Sequence, residues 1–174
     1  YSMTHLSEMA ERSSNMVTTA IDAFVKKDLK LANTVATMDD AIDDLFNKVK
    51  QEVIDIINAN KELDQQAIDV LLIAKYFEKI GDHAENIVEL AEEMKQEGIS
   101  FSDTALEELN EMSTTTLGAY DNAVKALELD DITYAVKTSF LEDQVDAMEK
   151  KLRAGHIDRL SNAECSVNAG IHFI

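Results

Sequence analysis

Three pairs of acidic residues, each four positions apart, are the densest chemistry in this chain: Asp39 and Asp43, Glu78 and Asp82, and Glu142 and Asp146. On a helix such pairs project from one face on successive turns, so two like charges lie side by side and destabilise the helix unless something neutralises them. Carboxylate oxygens are what hard cations take as ligands, which makes all six residues candidate metal ligands. Gly81 sits inside the second pair. In a helix interior a glycine costs about 1 kcal/mol relative to alanine, and its missing side chain lets another backbone or an ion come close. If Asp39 and Asp43 face Glu78 and Asp82 across one bundle, four carboxylates are available to one or more hard cations. The competing reading is a solvated flank, balanced by lysines such as Lys48 and Lys79.

Other chemistries find less support. His83 falls on an apolar stripe beside Asp82, which predicts a core histidine hydrogen-bonded across the bundle rather than a ligand. His5, His156 and His172 give weaker cases. None of the four histidines has a glutamate three residues before it, the spacing of di-iron helical bundles. Nucleophile-elbow, phosphate-loop and dinucleotide glycine patterns are missing from the sequence. A metal-dependent hydrolase or oxidase would therefore lack a base or nucleophile, and the chain reads as a non-enzyme.

The elements that must position these carboxylates are helices. The 174 residues contain no proline and five glycines, so little interrupts the three- and four-residue apolar recurrence. Breaks fall at Lys26-Lys27-Asp28, with Asp28 a candidate N-cap, and at 58–64, which is rich in Asn and Asp. A third lies at 97–102, where Gly98 can end a helix, Ser102 can cap the next and Phe101 can staple onto Leu106. The last two are at Leu129-Asp130-Asp131 and near Leu160, where Ser161 and Glu164 have capping-box spacing. Six helices result, over 2–26, 28–58, 64–97, 103–128, 131–159 and 162 onward. The second has the seam Val35, Met38, Ile42, Leu45 and Val49, with Asp39 and Asp43 bordering it. The third has two stripes, Ile73/Tyr76/Ile80/Ile87/Leu90 and Val70/Ala74/Phe77/Gly81/Ala84/Val88, and should be buried on more than one side. The fifth has Leu141, Val145, Met148 and Leu152.

Sliding the chain by 103 positions sets Ala20, Ile21, Ala23, Phe24 and Asp28 on Ala123, Val124, Ala126, Leu127 and Asp131. Farther on, Met38, Asp39, Ile42, Asp43 and Leu45 fall on Leu141, Glu142, Val145, Asp146 and Met148. Apolar periodicity alone would not carry the acidic pairs along, so the chain reads as a duplicated three-helix unit. Short connections make sequential helices antiparallel. The expected fold is all-α: two tandem antiparallel three-helix bundles, over 1–98 and 99–174, the second incomplete in its sixth helix.

Charge narrows the partners. Thirty-four acidic against sixteen basic residues leave a net charge of −18, which repels nucleic acid and anionic membrane surfaces and attracts cations. No apolar run approaches the roughly 20 residues of a membrane span, so direct insertion is not expected. One cysteine, Cys165, fits a reducing compartment and a small apolar packing role. Met3, Met9, Met16, Met94, Met112 and Met148 read as core fillers. The start at Tyr1 and the apolar end suggest that more protein lies beyond each terminus. A homodimer is possible on exposed helix faces.

Residues 76–89, Tyr-Phe-Glu-Lys-Ile-Gly-Asp-His-Ala-Glu-Asn-Ile-Val-Glu, resemble the third-helix motif of the PhoU family. Residues 39–45 resemble that family's second-helix motif, and 142–146 its second copy. The stretches 98–105, 155–160 and 164–171 resemble the cytoplasmic PhoU-like domain of bacterial sodium/phosphate cotransporters. The resemblance implies a regulator of phosphate uptake at the cytoplasmic side of the membrane, working through contacts with a transporter membrane domain or phosphate-signalling proteins. It also implies bound iron, zinc, manganese or magnesium. By motif, Asp39, Asp43, Glu78 and Asp82 form one site, and Glu142 and Asp146 half of a second, whose other half falls past Ile174. Two alternatives stay open: a free-standing PhoU regulator of an ABC-type phosphate transporter and its sensor kinase, and a purely structural helical module.

Overall fold

A computed structural model describes residues 4–60, 62 and 64–173. It contains six helices: α1 (Thr4–Lys26), α2 (Leu29–Ala59), α3 (Asp64–Glu97), α4 (Asp103–Leu129), α5 (Ile132–Ser161) and α6 (Val167–Phe173). There is no strand among the described residues. The expected all-helical fold is therefore what forms. The chain divides into two compact units, one up to Glu92 and one from Glu93 onward.

In the first unit, α1 turns into α2 over two residues. Lys27 takes a left-handed conformation (φ 50°), and the Asp28 carboxylate accepts from the backbone N–H groups of Lys30 at 2.9 Å and Leu31 at 3.3 Å. That cap satisfies donors at the start of α2 that have no partner within the helix. The pairing of His5 with Glu52, 2.6 Å apart, ties the beginning of α1 to the end of α2 and shows the two to be antiparallel. Leu6, Met9, Met16 and Ala20 of α1 and Val35, Ile42, Leu45 and Val49 of α2 are buried, and each such large side chain removed from water contributes about 1.5–3 kcal/mol. Ser13, also buried, donates to Met9 O at 2.8 Å and so needs no partner outside its helix. On α3, the stripe Ala74, Phe77, Gly81, Ala84 and Val88 is buried as expected.

The second expected stripe of α3 is different. Tyr76 is 65% exposed, Leu90 is exposed as well, and Ile73, Ile80 and Ile87 are half-buried. Helix α3 thus buries one side, because α1 and α2 both lie against the Gly81 side. His83 is exposed, so the expected core histidine is not there.

In the second unit, Gly98 (φ 67°) ends the preceding helix and the Ile99 N–H returns to Met94 O at 2.9 Å, a Schellman closure. Ser102 caps α4, accepting from Ala105 N. Asp130, left-handed at φ 50°, and Asp131, which accepts from Thr133 N at 2.9 Å, make the turn into α5. The guanidinium of Arg159 near the end of α5 donates to Glu108 near the start of α4, at 3.2 and 2.8 Å, so these helices are antiparallel. Phe101, expected to staple onto Leu106, sets its ring edge-on against Phe173, 5.5 Å between centroids. The expected capping box at Ser161 does not start α6. Helix α5 runs through Ser161, whose hydroxyl donates back to Ile157 O, and it is Ser166 that caps α6 through Ala169 N at 3.1 Å. Met9, Met16 and Met94 are buried core fillers, Met112 and Met148 are half-buried, and Met3 lies outside the described residues.

Candidate functional site

Two packed helices bring the first two acidic pairs together. Asp39 stands between the buried Val35 and Ile42 on the α2 seam, which draws it half into the interior. Opposite lies Gly81 of α3. A Cβ at Gly81 would fall 2.7 Å from Asp39 Oδ1, and 3.5 Å from both Ile42 Cδ1 and Met16 Sδ, so only a glycine leaves room for this carboxylate. Asp39 Oδ1 is buried and has no hydrogen-bond partner.

The electrostatics follow from that placement. Burial, and then the neighbouring carboxylates of Glu85, Asp43, Asp82 and Asp40, push the Asp39 carboxyl up to about 6. Asp43 is mostly exposed, yet partial desolvation raises it too, reinforced by Glu78 and Asp82 and opposed by Lys75. The cation in this group is Lys75, whose Nζ forms an ion pair with Glu78 Oε2 and lies 5.4 Å from the centroid of the Phe46 ring. Its ammonium is held charged, chiefly by that pairing with Glu78.

Glu85 belongs to the cluster, although the paired-spacing argument passed it over. Burial raises its pKa, followed by Asp82 and Glu89. Its position three after Asp82 and seven after Glu78 was the available signal, since those offsets share a helix face.

This donor set suits a hard cation: every candidate ligand is a carboxylate, the charges repel one another, and two buried oxygens, Asp39 Oδ1 and Glu78 Oε2, accept no hydrogen bond. As the side chains stand, no three His, Cys, Asp or Glu groups among the described residues converge closely enough to hold an ion. Asp43 and Asp82 are exposed.

The third acidic pair is placed differently. Glu142 and Asp146 are both exposed, beside a seam in which Leu141, Val145 and Met148 are only half-buried. The second unit's polar centre lies elsewhere. His156, two turns after Met148 on that seam, is 3% exposed. Its Nδ1 is 3.9 Å from Cys165 Sγ, and its Nε2 faces Gly170, where a Cβ would come within 2.5 Å. Burial depresses its pKa, helped by Arg159 and opposed by Glu108. The buried histidine of this chain is thus His156 and not His83.

Comparison with known proteins adds the remaining observation. The pattern of the PhoU domain matches residues 6–91 and 109–174. The phosphate-specific transport system accessory protein PhoU homolog 1 of Thermotoga maritima is 28% identical over 172 residues, covering 97% of this chain and 73% of that protein. A PhoU homolog of Zymomonas mobilis is 35% identical over 82 residues, 47% of this chain and 35% of its own length. Against several such relatives, including that of Clostridium acetobutylicum, the match spans little more than a third of the relative. The crystal structure of PhoU from Pseudomonas aeruginosa superposes with a TM-score of 0.88 at 20% identity, covering 98% of this chain and 82% of that one. The phosphate transport system regulatory protein PhoU from Streptococcus pneumoniae gives 0.84 at 17% identity, over 97% and 79%. The PhoU domain pattern covers most of the sequence, and the chain belongs to the PhoU domain family.

Proposed function

We propose that this chain is a regulator of phosphate transport, working through protein contacts and binding a hard metal ion on the acidic face of its first unit. The observation that carries the reading is the half-buried Asp39 carboxylate, whose Oδ1 lacks a hydrogen-bond partner, packed against Gly81 and surrounded by other carboxylates that repel it. Family membership supports the phosphate part, because the named relatives are accessory proteins of phosphate-specific transport systems. Those names favour the accessory-protein reading, with a transporter or phosphate-signalling protein as partner at the cytoplasmic face, over the reading as a domain of a sodium/phosphate cotransporter. No helix among the described residues is long and apolar enough to cross a membrane.

Asp39, Asp43, Glu78, Asp82 and Glu85 would hold the ion, whose charge would offset their mutual repulsion. Oxygen ligands without imidazole or thiolate favour magnesium, manganese or iron over zinc. The six residues singled out by sequence then divide: four belong to this centre, and Glu142 and Asp146 do not join it.

The test is made in a bacterium lacking its own PhoU-domain protein. Expressing this chain should lower uptake of labelled phosphate in phosphate-rich medium, and Asp39→Asn with Asp82→Asn should weaken that restraint. Uptake unchanged by the intact chain would sink the regulatory reading.

A further inference from the structure

The regulatory reading needs a surface on which a partner sits, and α5 carries one that the fold itself does not use. Ile132, Val136 and Phe140 follow one another at four-residue steps and are 76%, 65% and 63% exposed. They lie on the side of α5 opposite its seam of Leu141, Val145 and Leu152, so closure of the bundle would not cover them. Leu129, 61% exposed, continues the apolar strip into the preceding turn. The repeat shows that the fold does not require this stripe. The corresponding α2 positions are Leu29, Asn33 and Thr37, two of them polar and exposed.

Charge identifies the kind of occupant. Between residues 128 and 146 there are six carboxylates, Glu128, Asp130, Asp131, Glu142, Asp143 and Asp146, against one lysine. That lysine, Lys137, lies 4.8 Å over the Tyr134 ring. Asp143 extends the stripe by one turn and is exposed, as are Glu142 and Asp146 on its flank. A second copy of this chain would bring the same carboxylates against these, and an anionic lipid surface would be repelled in the same way.

We propose that the Ile132/Val136/Phe140 face of α5 docks a basic amphipathic helix of a partner protein. Two turns of apolar residues on that helix pack along the stripe, and its Lys or Arg side chains meet the carboxylates at the stripe's two ends, Glu128 to Asp131 and Glu142 to Asp146. This rests on the regulatory reading for the existence of a partner, but not on the metal centre or on phosphate.

The probe is a labelled 18-residue peptide helix with leucines at i, i+3, i+4 and i+7 and lysines flanking them, followed by fluorescence anisotropy. Val136→Ser with Phe140→Ser should weaken binding about tenfold or more, while Leu72→Ser with Tyr76→Ser, at exposed apolar sites of α3, should leave it within twofold. Replacing the peptide's lysines by glutamates should abolish binding, and amide-exchange protection by the lysine peptide should map to 132–143. Equal weakening by both double variants, or no binding, would overturn the proposal. So would sedimentation showing a dimer that Val136→Ser with Phe140→Ser dissociates, which would make a second copy the occupant. A failed peptide test with phosphate restraint intact would leave the regulator standing and remove only this docking face.

Discussion

The two units repeat one sequence pattern with different outcomes. In the first, Ile42 and Leu45 are 0% and 4% exposed, Asp39 is half-buried, and a long third helix lies against them. In the second, Val145 and Met148, their counterparts, are half-buried and Glu142 is exposed. The difference teaches that an i, i+4 acidic pair is not a site in itself. Across from Asp39 lies α3, which removes water from the carboxylate and adds Asp82 and Glu85 to its surroundings.

The largest expected effect breaks the comparison at its core. Ile42→Ala should cost about 2–5 kcal/mol in urea unfolding, because the surrounding side chains cannot collapse into the space. Val145→Ala, at the equivalent half-exposed position, should cost roughly 1 kcal/mol or less. Equal losses would mean that the two seams are equally enclosed.

Acid titration sharpens it next. The Asp39 carboxyl has its pKa raised to about 6 from 3.8. The folded state therefore binds this proton more readily than the unfolded state. Asp39's contribution is fully present below about pH 3.8 and is lost as pH rises through 6, and the raised pKa values of Asp43 and Glu85 act in the same direction. In chelator, the intact chain should show this pH dependence, and Asp39→Asn should remove about 1–2 kcal/mol of it after allowance for solvent screening. Thermal melts between pH 4 and 7 read both.

A smaller effect concerns two glycines. Gly81→Ala should lose about 1 kcal/mol despite alanine's better helix propensity, because the new methyl displaces Asp39. In an Asp39→Ala background the same change should be neutral or stabilising. At Gly118, where the nearest atom to a Cβ is Leu141 Cδ1 at 3.7 Å, alanine should add up to about 1 kcal/mol. Chemical denaturation of the four proteins closes that cycle.

Much of this was legible in the sequence where the signal is local. Asp28 and Ser102 as caps, Gly98 as a left-handed stop and the buried Gly81 stripe follow from residue type and spacing alone. What failed depended on partners distant in the chain. His83 and the Ile73 stripe satisfy helical periodicity, but Tyr76 stays exposed, and period does not say which of two apolar stripes a neighbour will choose. His156 needed Gly170 to be brought against it, and Glu85 needed Asp39 across the interface, contacts that spacing within one helix cannot reveal. The start of α6 is at Ser166 and not Ser161 because α5 continues through Ser161, whose hydroxyl turns back to Ile157 O.

The central claim is that the acidic face of the first unit is linked to metal through Asp39 and Asp82. It is tested most directly by the melting temperature of four proteins, with manganese or magnesium and with chelator: the intact chain, Asp39→Asn with Asp82→Asn, Glu142→Gln with Asp146→Asn, and all four changes together. Metal at a hundredfold excess over its dissociation constant should stabilise the intact chain by about 2.7 kcal/mol, and the Glu142/Asp146 variant equally, while the two proteins changed at Asp39 and Asp82 show no shift. A metal shift that survives loss of Asp39 and Asp82, or that is absent from the intact chain, would contradict the account.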